Sequence, residues 1–109
     1  MATTYKVLGQ VEPVATTDTT LYTVPSSTET VCSTLSVCNK ASAAGTFRVR
    51  IKINNAADDD KQYVAYDAPI AANDTLLLTF GATLGAGDVV RVYGSSADMT
   101  FQLFGSEIA

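Results

Sequence analysis

Residues 46–80 read TFRVRIKINNAADDDKQYVAYDAPIAANDTLLLTF. In the first nine of them apolar and polar residues alternate strictly. Phe47, Val49, Ile51 and Ile53 fall on one face, and Arg48, Arg50 and Lys52 on the other. A period of two belongs to a β-strand, whose side chains point alternately to opposite faces. The spacing therefore predicts an apolar face turned to a core and a cationic face turned to water. NNAADDDK (54–61) is a polar tip between two strong strands and reads as a hairpin loop. QYVAYD (62–67) sets Tyr63, Ala65 and Asp67 opposite Val64 and Tyr66. DAPIAAND (67–74) holds Pro69 and an Asn–Asp pair, so it reads as a turn rather than a central strand. TLLLTF (75–80) is the next strand. This third of the chain contains no residue arranged as a nucleophile or a metal cage.

The same period extends outward. TVCSTLSVCN (30–39) puts Val31, Leu35 and Val37 on one face and Cys32, Thr34, Ser36 and Cys38 on the other. DVVRVYG (88–94) sets Val90 and Val92 against Val89, Arg91 and Tyr93. DMTFQLFG (98–105) sets Met99, Phe101 and Leu103 against Thr100, Gln102 and Phe104. Weaker runs at 5–8 and 20–24 bring the expected total to about eight strands. No stretch of ten residues keeps a helical apolar pattern, and NKASAAG (39–45) is too short for a stable helix. Short strands separated by turn signals indicate an all-β fold, an antiparallel β-sandwich spanning 1–109 as one domain. Its strand order is open between jelly-roll-like and immunoglobulin-like. Residues 1–4 are expected to form a flexible arm, and the polar stretch 12–20 is a second candidate arm.

The chain has 109 residues, 47% hydrophobic and 17% charged, with net charge −4. A chain of this length can bury a real core, and its low charge argues against disorder. Neutral Thr, Ser, Ala and Asn must then supply much of the surface, which costs little to desolvate. The negative balance disfavours nucleic acid, which demands clustered cations. The row Arg48, Arg50, Lys52 reads as a solvated sheet face. The start, MATTYKVLGQ, has neither the charged nor the apolar region of a signal peptide, and no apolar run reaches membrane-span length. Cys32 and Cys38 lie six residues apart on one expected strand, about 20 Å along it. That separation is beyond disulfide reach, so both read as reduced, buried thiols of a protein made in a reducing cytoplasm.

There is no histidine. The commonest general base and zinc ligand is therefore missing, and a Ser–His–Asp triad is impossible. Two cysteines on one strand make no zinc site. Asp58, Asp59 and Asp60 read as a solvated loop tip, with calcium binding or a catalytic carboxylate pair as the alternatives. The spacing of a calcium-binding loop is absent. GATLGAG (81–87) lacks the Lys-Ser/Thr of a phosphate loop. Five tyrosines, at 5, 22, 63, 66 and 93, offer stacking rings for a sugar, but there is no tryptophan. The expectation is no enzyme, no cofactor and no metal.

Two stretches carry a family likeness. Residues 21–51 contain Leu21-Tyr22-x-Val24-Pro25, a Val- and Leu-rich strand, an Asn39-Lys40 loop and Phe47-x-Val49-x-Ile51. Residues 66–108 contain Pro69-Ile70-x-x-x-Asp74-Thr75, Leu84-x-x-Gly87-Asp88-x-Val90-x-Val92-Tyr93 and Phe104-Gly105-x-Glu107-Ile108. Taken in order, these resemble small structural proteins of tailed bacteriophages. The Gly87-Asp88 phrase also resembles the late hairpin of trimeric jelly-roll heads of the complement and tumour-necrosis-factor type. Gly87 can take a positive φ and Asp88 can bond the turn backbone, so both are candidate turn formers. The resemblance implies a non-enzymatic virion component (decoration, fibre, neck or baseplate) made in the bacterial cytoplasm. It implies a symmetric oligomer, expected as a homotrimer, with other virion proteins as partners and no nucleic acid or membrane. The alternative is a module binding a host-surface glycan. Apolar residues near the chain ends are the candidate contacts: Tyr5, Val7, Leu8, Val11, Phe104 and Ile108.

Overall fold

The computed structural model describes residues 2–109. Nine strands follow one another: β1 Thr3–Val11, β2 Thr19–Thr23, β3 Glu29–Asn39, β4 Gly45–Lys52, β5 Tyr63–Ile70, β6 Thr75–Thr79, β7 Thr83–Leu84, β8 Val89–Gly94 and β9 Met99–Ile108. Two single 3-10 turns, Ile53–Asn55 and Asp60–Gln62, lie between β4 and β5. The ninth strand, unexpected from the sequence, is β7. It is two residues long inside the glycine-rich stretch, and it pairs with β3 beyond the end of β6.

Two antiparallel sheets face each other. One has the order β1-β9-β3-β6, with β7 beside β3; the other is β2-β8-β4-β5. Apart from the β4–β5 hairpin and the β6–β7 step, every connection crosses between sheets. That order and crossing pattern is a jelly roll, which decides the topology left open by the sequence. One pole carries the β2–β3, β4–β5 and β7–β8 connections. The other carries β1–β2, β3–β4, β5–β6 and β8–β9. At the second pole buried Asn39 donates from Nδ2 to the Ala43 and Ala71 carbonyls and accepts from the Ala41 amide. At the first pole the strand ends β1 and β9 lie side by side, and Ala2 and Ala109 exchange two backbone hydrogen bonds of 2.8 and 2.9 Å.

The core fills the space between the sheets. Leu35, Val37, Phe101, Leu103 and Met99 come from one sheet, and Phe47, Val49, Val90 and Val92 from the other. Phe47 and Phe101 meet edge to face, with centroids 6.3 Å apart.

Bulges decide which residues reach that core. In β3 the pairing with β9 slips between Cys32 and Thr34, leaving Ser33 as the extra residue. The alternation inverts there, so Cys32 is buried and Val31 faces out, opposite to the uninterrupted strand expected. Cys38, beyond the bulge, is only half-buried, and the two thiols do not share a face. Burial pushes the Cys32 thiol up to about 11. Iodoacetamide at pH 8 is therefore expected to modify Cys38 in the folded protein and Cys32 only after unfolding, as peptide mass mapping would show. In β1 the slip against β9 falls between Val7 and Gly9 and turns Leu8 inward. Two glycines accommodate this region. A Cβ on Gly9 would overlap the Leu21 carbonyl oxygen, and one on Gly105 the Val31 carbonyl oxygen.

Other expectations are corrected. Pro69 lies within β5, not in a turn. β5 is an edge strand, where a missing N–H costs no ladder bond. Ile53 does not enter the core: β4 ends at Lys52, and Asn54 and Asn55 take positive φ, which swings Ile53 out to 73% exposure. Arg50 and Lys52 are buried rather than solvated, because the β4–β5 connection folds back over them. Thr3 and Thr4, placed in an arm by sequence reading, pair with Ile108 and Glu107 in β1; Met1 lies outside the described residues.

Candidate functional site

The two outer faces of the sandwich differ sharply. On the outside of the five-stranded sheet the cross-strand rows can be read from the register. Tyr5 lies beside Ser106 and Val31. Val7 lies beside Phe104, Thr34 and Thr79. Gln10, Gln102, Ser36 and Leu77 form the next row, and Thr100, Cys38 and Thr75 the last. Thr3, Ile108 and Glu29 close the face at the first pole. Glu29 is the sole charged side chain in these rows. Tyr5 is 83% exposed and Leu77 69%, with Val7 and Val31 also exposed.

The sequence-nominated contacts divide accordingly. Tyr5, Val7, Phe104 and Ile108, although at opposite ends of the chain, share this face because β1 pairs with β9. Leu8 and Val11 belong instead to the core or pack against it. Val31 and Leu77 were not nominated. The middle position of Leu76-Leu77-Leu78 could have been read as outward by alternation, since its two neighbours pack on the core. Val31 could not, because the bulge at Ser33 inverts its parity.

The outside of the four-stranded sheet is a ladder of cations, tyrosines and carboxylates. The Arg48 guanidinium lies between the Tyr66 and Tyr93 rings, 4.2 and 4.3 Å from their centroids. It donates to Asp67 from Nε at 2.7 Å and from a terminal nitrogen at 3.3 Å. Arg50 sits 4.5 Å over the Tyr63 ring centroid, donates to the Tyr63 hydroxyl at 2.5 Å, and pairs with Asp58 at 3.0 Å and Asp18 at 3.5 Å. Arg91 donates from Nε to Asp18 at 2.8 Å. Lys52 pairs with Asp58 at 2.9 Å. The Lys52 ammonium, with the Arg50 guanidinium beside it, holds the Asp58 carboxyl below the usual range.

Slips in the β4–β5 register bring Tyr63 and Tyr66 into contact, with centroids 4.8 Å apart, although simple alternation would place them on opposite faces. A shallow cleft of about 280 Å³ opens beside them and Asp60. Their rings are already engaged by guanidinium groups, so little free aromatic face is left for a sugar. Two of the three carboxylates in the Asp58–Asp60 run are likewise committed. Asp58 binds cations, and Asp59 caps the Asp60–Gln62 turn by accepting from the Lys61 amide. Among the described residues no three His, Cys, Asp or Glu side chains gather so as to hold a metal ion.

Gly87 has φ +86° and donates its amide to the Val24 carbonyl at 3.1 Å. Asp88 accepts from the Asn54 amide at 2.8 Å and the Gly85 amide at 2.9 Å, joining the β4–β5 and β7–β8 connections.

No family model and no curated protein matches this chain. Among solved structures it is similar to a pentameric capsid protein isolated from metagenomic phage sequences. The identity is 17% and the TM-score 0.41, with 95% of this chain and 62% of that one covered. A second structure of such a pentameric capsid protein, solved by iodide phasing, matches at 18% identity and TM-score 0.30, covering 95% and 64%. The chain thus spans less than two thirds of each.

Proposed function

We propose that this single sandwich domain is a non-enzymatic structural component of a tailed-bacteriophage virion, made in the host cytoplasm. It assembles into a symmetric homo-oligomer and docks on the capsid or tail. The observation that carries the reading is the outer face of the five-stranded sheet. Its rows carry Tyr5, Val7, Val31, Phe104 and Leu77 among Ser, Thr and Gln, with one carboxylate at the margin. Contact cores are depleted of charge and tolerate neutral polar groups, whereas the opposite face holds its charges in internal pairs. The ordered sequence phrases resembling phage structural proteins supply the setting. Glycan recognition is the weaker reading, since Arg48 and Arg50 cover the tyrosine rings.

Native mass spectrometry at micromolar protein, with a binding assay on purified particles, tests this. The expected result is a closed homo-oligomer, three copies by the sequence resemblance, that decorates the particle. A five-membered ring would correct the number and keep the assembly. Val31→Lys combined with Leu77→Lys places two cations on the face without touching the core. It is expected to weaken docking about 100-fold or more with an unchanged circular dichroism spectrum. A monomeric wild-type protein with no affinity for virions would overturn the proposal.

A further inference from the structure

Closed rings of three or more copies need two different patches on opposite flanks of each copy. The fold carries such a pair. β1 lies over β2 at one edge of the sandwich, and β5 forms the opposite edge. On the first edge, at the first pole, Tyr5 projects with 83% exposure. On the opposite edge, at the same pole, the β4–β5 connection holds a cleft of about 420 Å³ lined by Ile51, Ile53, Ala56, Lys61 and Gln62. The cleft is largely apolar, and Ile53 stands open at its rim.

Charge gives the pairing a register. The chain has seven Lys and Arg. Six of them pair with carboxylates, and Lys61 alone makes no ion pair among the described residues. Six side-chain carboxylates make no ion pair among the described residues, and of these Glu29 is the one in the outer rows that carry Tyr5. It stands in the Thr3–Ile108–Glu29 row, two strands from β1, about 10 Å across the sheet. An unpaired amine therefore lines the cleft, and an unpaired carboxylate stands on the same face as the projecting ring, one row nearer the pole.

We propose that the cleft formed by Ile51, Ile53 and Ala56 receives Tyr5 of a second copy of this chain, with Lys61 meeting Glu29 of that copy. Repetition about an axis roughly parallel to the strands keeps knob and cleft at one height, so the contact closes a ring rather than a pair. The tyrosine ring buries its body against the isoleucines and keeps its hydroxyl by Gln62 and water. The proposal rests on the assembly reading above and specifies its subunit contact.

Cross-linking tests it, in a Cys38→Ser background. Tyr5→Cys and Ile53→Cys copies, each alone, are expected to give no disulfide-linked species. Mixed, they give covalent dimers, and one chain carrying both substitutions gives a ladder ending at the ring size. Tyr5→Cys copies linking to each other, or no link while the native mass stays oligomeric, would overturn this contact and leave the assembly standing. A monomeric wild-type protein would instead overturn the assembly reading. In the full chain, Lys61→Glu is expected to raise the dissociation constant about two- to fivefold, and adding Glu29→Lys to restore it. Absence of that recovery would overturn the Glu29–Lys61 register.

Discussion

A Phe101→Ala variant is expected to lose about 3–5 kcal/mol of stability. Phe101 is fully buried in β9 and meets Phe47 of β4 edge to face across the middle of the sandwich. The substitution removes the ring's transfer free energy and leaves a hole between two sheets. Their backbones are held by ladders and cannot close over it. Domains of this size are stable by about 5–15 kcal/mol in total, so the loss is a large part of the whole. Urea denaturation should show the midpoint falling while the slope stays constant. Phe101→Leu keeps most of the volume and should cost much less. A Phe101→Ala loss under about 1 kcal/mol would mean that the inter-sheet packing is not as described.

Tyr22→Phe is expected to cost about 1–3 kcal/mol and to flatten the acid side of the stability profile. Tyr22 reaches from β2 across to the other sheet. Its hydroxyl donates to Glu107 Oε2 at 2.5 Å and lies 2.7 Å from the hydroxyl of fully buried Thr30. Lys6 donates to the other Glu107 oxygen at 3.1 Å. Removing the Tyr22 hydroxyl strands Thr30 and takes one donor from the carboxylate. Tyr22 itself is pushed above its ordinary range, by burial first and by Glu107 second, so it stays protonated and donating. Glu107 is held below the usual carboxyl range, by the Tyr22 hydroxyl first and by Lys6 after it. A carboxyl lowered in the fold adds stability above its unfolded pKa, about 4.3 for Glu, and loses it as pH falls through the folded value. The wild-type protein should therefore weaken from about pH 5 downward. Tyr22→Phe should weaken less steeply there, from a lower starting stability. Thermal melts at stepped pH values would show the slope, and parallel curves for the two proteins would refute the role given to Glu107.

Alternation reveals the sandwich in the strands that carry no extra residue of their own, β4, β8 and β9, although their partners slip. Phe47 and Val49, Val90 and Val92, and Met99, Phe101 and Leu103 all point as the sequence predicts. It misled at the extra residues. Ser33 inverts half of β3, and Leu8 turns inward in a strand whose neighbours look out. A bulge depends on the partner strand, and nothing local to Ser33 announces one. Alternation places the cationic row on one face but does not show that Arg50 and Lys52 are covered there. Asp18 and Asp58, which cover it, come from connections 32 and 8 positions away from Arg50, so their return is a tertiary event. The candidate contact face was legible in part. Tyr5, Val7, Phe104 and Ile108 were named for lying near chain ends, yet what unites them is the pairing of β1 with β9. Nearness to a chain end equally selects Leu8, which is in the core, and Val11, which packs against it. The cleft at Ile53 was invisible, since it arises from two successive left-handed asparagines that end the strand early.

The doubled hydrogen bond between Ala2 and Ala109 turns the backbone into an almost closed circuit. A peptide grafted at either extremity must leave from the same pole, on the side where Tyr5 projects. To present cargo at the far pole, an engineer would link residues 2 and 109 through a short turn and reopen the chain in the exposed 42–44 segment. Such a permutant would keep every rung of both ladders while reversing the direction in which its payload faces.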